Sequence, residues 1–227
     1  MGKLVDALFQ DIRIIEGLKA CISCGTCTAI CPAAQFYHYD PRQIAETVQN
    51  RNEQEIEALL KSDTIWMCGE CLSCKTRCPR DNTPAYIIQS LRSLSVDTGL
   101  FAESKMGRQL LAVKRTVGEH ILKYGYCIYL DDASTELYPE QGPVWDWYRE
   151  NVDKLGNKLG INHNKPGGGA MRKISEKTMN ELRAIFDETG GTERFEKIEK
   201  YSEEAARKLN LKFEGGKDEY FKQVYEK

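Results

Sequence analysis

Residues 21–32 read CISCGTCTAICP, and residues 68–79 read CGECLSCKTRCP. Both follow C-x2-C-x2-C-x3-C-P, and only one further cysteine, Cys127, stands elsewhere among the 227 residues. Zinc takes four ligands around one ion, usually as two C-x2-C pairs held apart by a loop, whereas here four cysteines crowd into eleven residues. Disulfides between cysteines two residues apart would crosslink almost nothing. Iron–sulfur ligation explains the spacing directly: three thiolates on a tight loop reach three corners of a 4Fe–4S cube, and the fourth points away.

In two-cluster bacterial ferredoxins the fourth cysteine of this run ligates the other cluster. Carried over, one cluster takes Cys21, Cys24, Cys27 and Cys78, and the other takes Cys68, Cys71, Cys74 and Cys31. Pro32 and Pro79 turn the chain after each fourth cysteine without adding a backbone donor. The small residues Ser23, Gly25, Thr26, Gly69, Ser73 and Thr76 allow backbone N–H groups near the sulfurs. Neither site leaves a coordination position open for substrate. The expected work is one-electron relay, with no catalytic residue in this chain.

Composition narrows the setting. A net charge of −2 and a pI near 6.0 give no basic excess for nucleic acid or anionic lipid. No apolar run approaches the ~18 residues needed to cross a bilayer. Asp6, Asp11, Arg13 and Glu16 interrupt the start where a signal peptide needs an apolar centre. A soluble, cytoplasmic protein of a reducing compartment is expected, where clustered cysteines point to metal.

The thirty-six residues between Cys31 and Cys68 read as helices. Asp40-Pro41 is a cap-then-proline start, followed by Ile44, Ala45 and Val48; a second helix spans Glu53 to Lys61, with Ile56, Leu59 and Leu60 inward. Thr83-Pro84 repeats the start signal before Ile87, Ile88, Leu91 and Leu94. Val5, Leu8, Phe9, Ile12 and Ile15 predict one helix ahead of the first run, closed near Gly17. No stretch alternates as a strand.

The cysteine runs, Asp40-Pro41-Arg42-x-Ile44, Trp66-Met67-Cys68 and the IIQSLR of residues 87–92 together resemble the iron–sulfur C subunits of heterodisulfide reductases, over about Lys19 to Gly99. The resemblance implies a mainly α fold: an α-helical ferredoxin domain with two 4Fe–4S clusters over residues 1–99, then a helical C-terminal extension over 100–227. It also implies two partners in a heterodisulfide-reductase-like complex. One is a flavin-containing A subunit; the other is a cysteine-rich B subunit that acts on a disulfide or carrier-bound sulfur. This chain would relay single electrons between them. Related complexes serve sulfur metabolism in sulfur-oxidising microbes, and nothing in the chain fixes the direction of flow. The same module occurs in the iron–sulfur subunits of fumarate reductase and anaerobic glycerol-3-phosphate dehydrogenase, which feed or draw on quinone at a membrane. A plant-type cluster domain should precede it in fumarate reductase, and only twenty residues precede Cys21. A third reading, from another class, is a scaffold whose clusters only hold the fold.

The two runs differ in charge. The first has no charged residue, whereas the second holds Glu70, Lys75, Arg77, Arg80 and Asp81. Cations favour the reduced, more negative cluster, so the cluster on Cys68, Cys71 and Cys74 is expected to have the higher potential. The competing expectation is that Lys75, Arg77 and Arg80 simply face water or a partner.

Beyond residue 100, Ser104 to Tyr124 predicts one long helix with Met106, Leu110, Val113, Val117 and Ile121 on its inner face. An irregular stretch with Pro139, Gly142, Pro143 and the VWDWY of 144–148 follows, then a glycine-rich loop over Gly160 to Lys173 without a phosphate-binding pattern. Helices over Ser175 to Glu188, Thr192 to Asn210 and Asp218 to Tyr225 complete the chain. His38, His120 and His163 show no ligand spacing, and Cys127 is expected as a buried apolar residue.

Overall fold

A computed structural model describes residues 2–226, which fall into two compact units, Met1–Arg108 and Gln109–Lys227. Among the described residues there is no strand beyond one isolated bridge, Ile161 to Ala170. No helix among them is long and apolar enough to cross a membrane.

The first unit holds α1 (Lys3–Gln10), α2 (Ile12–Gly17), α3 (Thr26–Ala29), α4 (Pro41–Asn50), α5 (Glu53–Lys61), α6 (Pro84–Thr98) and α7 (Lys105–Arg108). Its core gathers Val5, Leu8, Ile14, Ile44, Val48, Ile56, Leu60, Ile65, Ile87, Ile88 and Leu91. The cap-then-proline reading of α4 holds: the Asp40 carboxylate accepts from the N–H groups of Arg42 and Gln43, with Pro41 in the first turn. At α6, Pro84 plays the same part, but the Thr83 side chain makes no cap; its backbone N–H is spent on the Gly17 carbonyl at 2.7 Å. Asn52 caps α5, and Glu53 reaches across to accept from the N–H groups of Leu4 and Val5 at the start of α1.

The single helix expected before the first run is two. Asp11 adopts an extended backbone, caps α2 through the Arg13 N–H and pairs with the Arg13 guanidinium. Restarting the helix there rotates its inner face: Ile14 is buried, while Ile12 and Ile15 are 64% and 56% exposed.

The second unit comprises α8 (Leu110–Val113), a π turn over Lys114–Gly118, α9 (Glu119–Tyr124), α10 (Pro143–Leu159), α11 (Glu176–Glu188), α12 (Gly191–Lys208) and α13 (Glu219–Glu226). The continuous helix expected over Ser104 to Tyr124 is thus interrupted at Gln109 and widened by the π turn. The π turn shifts which residues point inward, so Leu111, Ala112, Arg115, Thr116 and His120 are buried and Val113 is exposed. The stretch around VWDWY is not irregular beyond Gly142. Pro143 opens the 17-residue α10 there, since proline is pre-organised for a first helical position. Cys127 is exposed, because the buried residues of its segment are Tyr129 and Leu130.

Arg115 is the buried charge of this unit. Its guanidinium donates to both Glu199 oxygens, to the Gly216 carbonyl and to Asp218. Asp218 also accepts from the N–H groups of Glu214, Gly215 and Phe221, which ties the turn before α13 to the π turn. Burial alone would raise its pKa. The Phe221 N–H and the Arg115 guanidinium outweigh that, and the carboxyl titrates below its ordinary 3.8. A depressed carboxyl pKa contributes stability that is complete above the unfolded value and is lost as pH falls through the folded one. Asp218→Ala should therefore cost about 3 kcal/mol at pH 7, the scale for leaving one member of a buried pair uncompensated. The deficit against wild type in urea unfolding should shrink once the pH is below that of the carboxyl's ordinary titration.

Candidate metal centre

The two cysteine loops share one backbone. Two residues after its first cysteine each loop turns left-handed, at Ser23 (φ 55°) and Glu70 (φ 54°), and again two further on, at Gly25 (φ 79°) and Leu72 (φ 59°). This curl points an N–H at the first sulfur: Ser23 N–H donates to Cys21 Sγ at 3.5 Å, and Glu70 N–H to Cys68 Sγ at 3.4 Å. The second cysteine of each loop, Cys24 or Cys71, is exposed and lies 3.4 Å from a hydroxyl, Thr26 or Ser73, which lowers its pKa. The third, Cys27 or Cys74, is half-buried, and burial pushes its thiol up, to about 11 for Cys27.

Each loop is gripped by the helix that follows it, at matching positions. Gln49 on α4 and Arg92 on α6 each stand eight residues past their helix's proline. Gln49 clamps Cys21 through its N–H and carbonyl, at 2.7 and 3.2 Å. Arg92 donates to the Cys68 carbonyl and to the Ile65 carbonyl, both at 2.7 Å. Five residues past each proline, Glu46 accepts from the Ser23 hydroxyl and Gln89 donates to the Glu70 carboxylate, both at 3.0 Å. Arg42 adds a second hold on Ser23, and Arg92 a second hold on Glu70. The sequence reading missed these clamps. Aligning Pro41 with Pro84 would have revealed them, because the buried positions three, four and seven residues on also match: Ile44, Ala45, Val48 and Ile87, Ile88, Leu91.

Cys31, the fourth cysteine of the first run, stands with the second loop. Cys31, Cys68, Cys71 and Cys74 line one cavity, with Pro32, Tyr39, Pro41 and Ala85 among its other walls. At the opposite end of the second run, the N–H of Asn82 donates to Cys78 Sγ at 3.3 Å, and its Oδ1 accepts from the Lys19 N–H at 2.6 Å. With the bond from Thr83 to Gly17 this lays residues 78–83 against the chain entering the first loop. Gly17 is required there, since a Cβ would stand 2.8 Å from Tyr86 Cβ.

Cys31, Cys68, Cys71 and Cys74 line a space rather than a point, which suits a cubane better than a single zinc ion. The buried Tyr39 hydroxyl, on the wall of that cavity, meets no hydrogen-bond partner. The residues present fit the inferred groups: four thiols around a cavity, N–H donors at three sulfurs, and one unmatched donor facing the sulfurs. Lys75, Arg77 and Arg80 are exposed, as the solvated reading expected, and the half-buried cation at the second loop is Arg92. His38 is exposed, His120 is buried in the second unit, and His163 pairs with Asp131.

The sequence pattern of the family described as a 4Fe-4S dicluster domain matches residues 17–82, and the eight cysteines within that span fit two such clusters. The chain is 33% identical over 193 residues to the C subunit of the ferredoxin:CoB-CoM heterodisulfide reductase of Methanosarcina acetivorans, covering 84% of this chain and 70% of that one. It is 30% identical over 187 residues to the second iron-sulfur C subunit of the CoB–CoM heterodisulfide reductase of Methanocaldococcus jannaschii, covering 82% and 80%. The corresponding iron-sulfur C subunit of Methanopyrus kandleri is 27% identical over 167 residues, covering 71% and 80%.

The Asn82 bridge gives a direct test of the cross-docking. Asn82→Ala removes the acceptor for the Lys19 N–H and should cost about 1–3 kcal/mol. Its iron–sulfur absorption in air should bleach faster than that of wild type. Equal bleaching rates would mean that the bridge does not hold the two segments together.

Proposed function

Because the chain belongs to the family of iron–sulfur C subunits of heterodisulfide reductases, we propose that it is the electron relay of such a complex, exchanging electrons with a flavin-containing A subunit on one side and a cysteine-rich B subunit on the other. When bound, two 4Fe–4S clusters supply one-electron relay. What the chain itself supplies is a pair of cradles. We assign Cys21, Cys24, Cys27 and Cys78 to one cluster, and Cys68, Cys71, Cys74 and Cys31 to the other. What supports this pairing is that Cys31 shares a cavity with Cys68, Cys71 and Cys74, and that Asn82 joins Cys78 to Lys19, two residues before Cys21.

The relay reading is supported by how the thiols are distributed. Each loop keeps its third cysteine half-buried and exposes its second, Cys24 or Cys71. Each cradle therefore offers one edge to a partner while its helix clamp keeps the remainder fixed, so two partners can meet two different cradles. The substrate chemistry, on a CoB–CoM-like heterodisulfide or on carrier-bound sulfur, belongs to the cysteine-rich partner in this assignment.

Two measurements test these assignments. In dithionite-reduced protein, the EPR signal that Cys31→Ser removes or alters should be the one altered by Cys71→Ser, not the one altered by Cys24→Ser. Matching Cys24→Ser instead would restore each fourth cysteine to its own run. Anaerobic purification of the tagged chain from its native cells should bring down a flavoprotein and a cysteine-rich iron protein together; recovery in a membrane fraction with a quinone-reactive partner would overturn the proposed partners.

A further inference from the structure

Tyr39 is the unexplained group of the cavity. Its side chain is among the buried residues of the first unit, at 4% exposure, and packs within the core that also takes in Cys31 and Cys68. Its ring forms part of the wall shared with Cys31, Cys68, Cys71 and Cys74, and its hydroxyl has no hydrogen-bond partner in good geometry. A buried hydroxyl left unmatched is destabilising, and native proteins rarely retain one without a use. Of the sulfurs that share its cavity, Cys68 is the acceptor within its reach.

We propose that Tyr39 is a tuning residue: its hydroxyl donates to the Cys68 sulfur in the loaded protein and raises the midpoint potential of the cluster that sulfur holds. The physical ground is general. Hydrogen bonds to cluster sulfurs stabilise the more negative, reduced state, and a donor in a dry site acts more strongly than one in water. The first cradle's counterpart is the buried Asn82. Its crossing cysteine, Cys78, receives the Asn82 N–H at 3.3 Å and the Asn82 amide at 3.7 Å, donors of a neutral amide rather than an acidic phenol. The sequence reading sought the asymmetry in Lys75, Arg77 and Arg80, all of which are exposed. The buried phenol gives the same ordering by a different agent, one that water does not screen.

The inference rests on the two-cluster reading, though not on the crossing of the fourth cysteines, since Cys68, Cys71 and Cys74 lie on one loop under either pairing. Tyr39→Phe keeps the ring and deletes the donor. In EPR-monitored redox titrations of the full chain carrying eight irons, one midpoint should fall, by a shift in its oxidised-to-reduced ratio of about three- to tenfold at fixed ambient potential. That midpoint should belong to the signal altered by Cys71→Ser, and the other should stay. Unmoved midpoints, or two that move equally, would overturn the proposal. Should Tyr39→Phe fail to take up eight irons, a fluorotyrosine installed at position 39 decides the matter: its more acidic phenol is a stronger donor, so the same midpoint should rise, and an unchanged or lowered one would overturn the proposal. Failure of the two-cluster reading would show separately, as about four irons in the wild-type chain.

Discussion

The first unit depends on two backbone-directed bonds that close a long loop. The Lys19 N–H reaches the Asn82 side chain, sixty-three residues away in sequence, and the Thr83 N–H reaches the Gly17 carbonyl. Closing a loop of this length carries an entropic cost that grows only with the logarithm of its length, and packing of α2 and α4 against α6 offsets it. The consequence is topological. Without these bonds each cysteine run would be a three-thiol loop with its fourth sulfur pointing away, as the spacing alone requires. With them, residues 78–83 lie beside the entrance to the first loop, while Cys31 turns back into the cavity of the second. The two bonds tie the two halves of the unit together, so that disruption at one loop should loosen the other.

The cradles were legible in the sequence because their information is local. Cysteine spacing, the prolines that follow, and Asp40-Pro41 each act within a few residues, and α4, α5, α6, α11 and α12 lie where cap and periodicity place them. What was missed depends on distant contacts or on a competition between neighbours. The break at Asp11 is such a competition: a residue able to cap α2 and pair with Arg13 outweighs the apolar pattern running through it. The π turn at Lys114–Gly118 brings Arg115 inward, where Glu199 and Asp218 wait some hundred residues on; no window of sequence contains all three. Helix α10 was different. Pro143 was a valid start signal that a cluster of aromatic residues obscured. The exposure of Cys127 likewise follows from which neighbours, Tyr129 and Leu130, took the buried places.

Two loops of matching geometry with unlike clamps let the unit hold two similar groups yet treat them differently. The left-handed residues of each loop are conformationally costly where they are not glycine, roughly 1–3 kcal/mol apiece, and three of the four, Ser23, Glu70 and Leu72, carry side chains. Such strain persists only where the surroundings over-determine it, and the matched clamps from α4 and α6 do this. Gln49 and Arg92 fix the first cysteine's backbone; Glu46 with Arg42, and Gln89 with Arg92, fix the strained residue two positions on. The positions repeat, but the chemistry does not. A neutral amide grips Cys21, whereas a guanidinium grips Cys68, and much of that guanidinium's charge is answered by Glu70 on the same loop. A cation placed at one cradle and largely neutralised there alters local geometry more than net field. Uncharged donors then weigh more in any difference between the cradles: Asn82 at Cys78, and the unpartnered Tyr39 hydroxyl on the wall of the second cavity. One side chain outside the repeated frame can in this way make two matched half-sites unequal while leaving both sets of clamps intact.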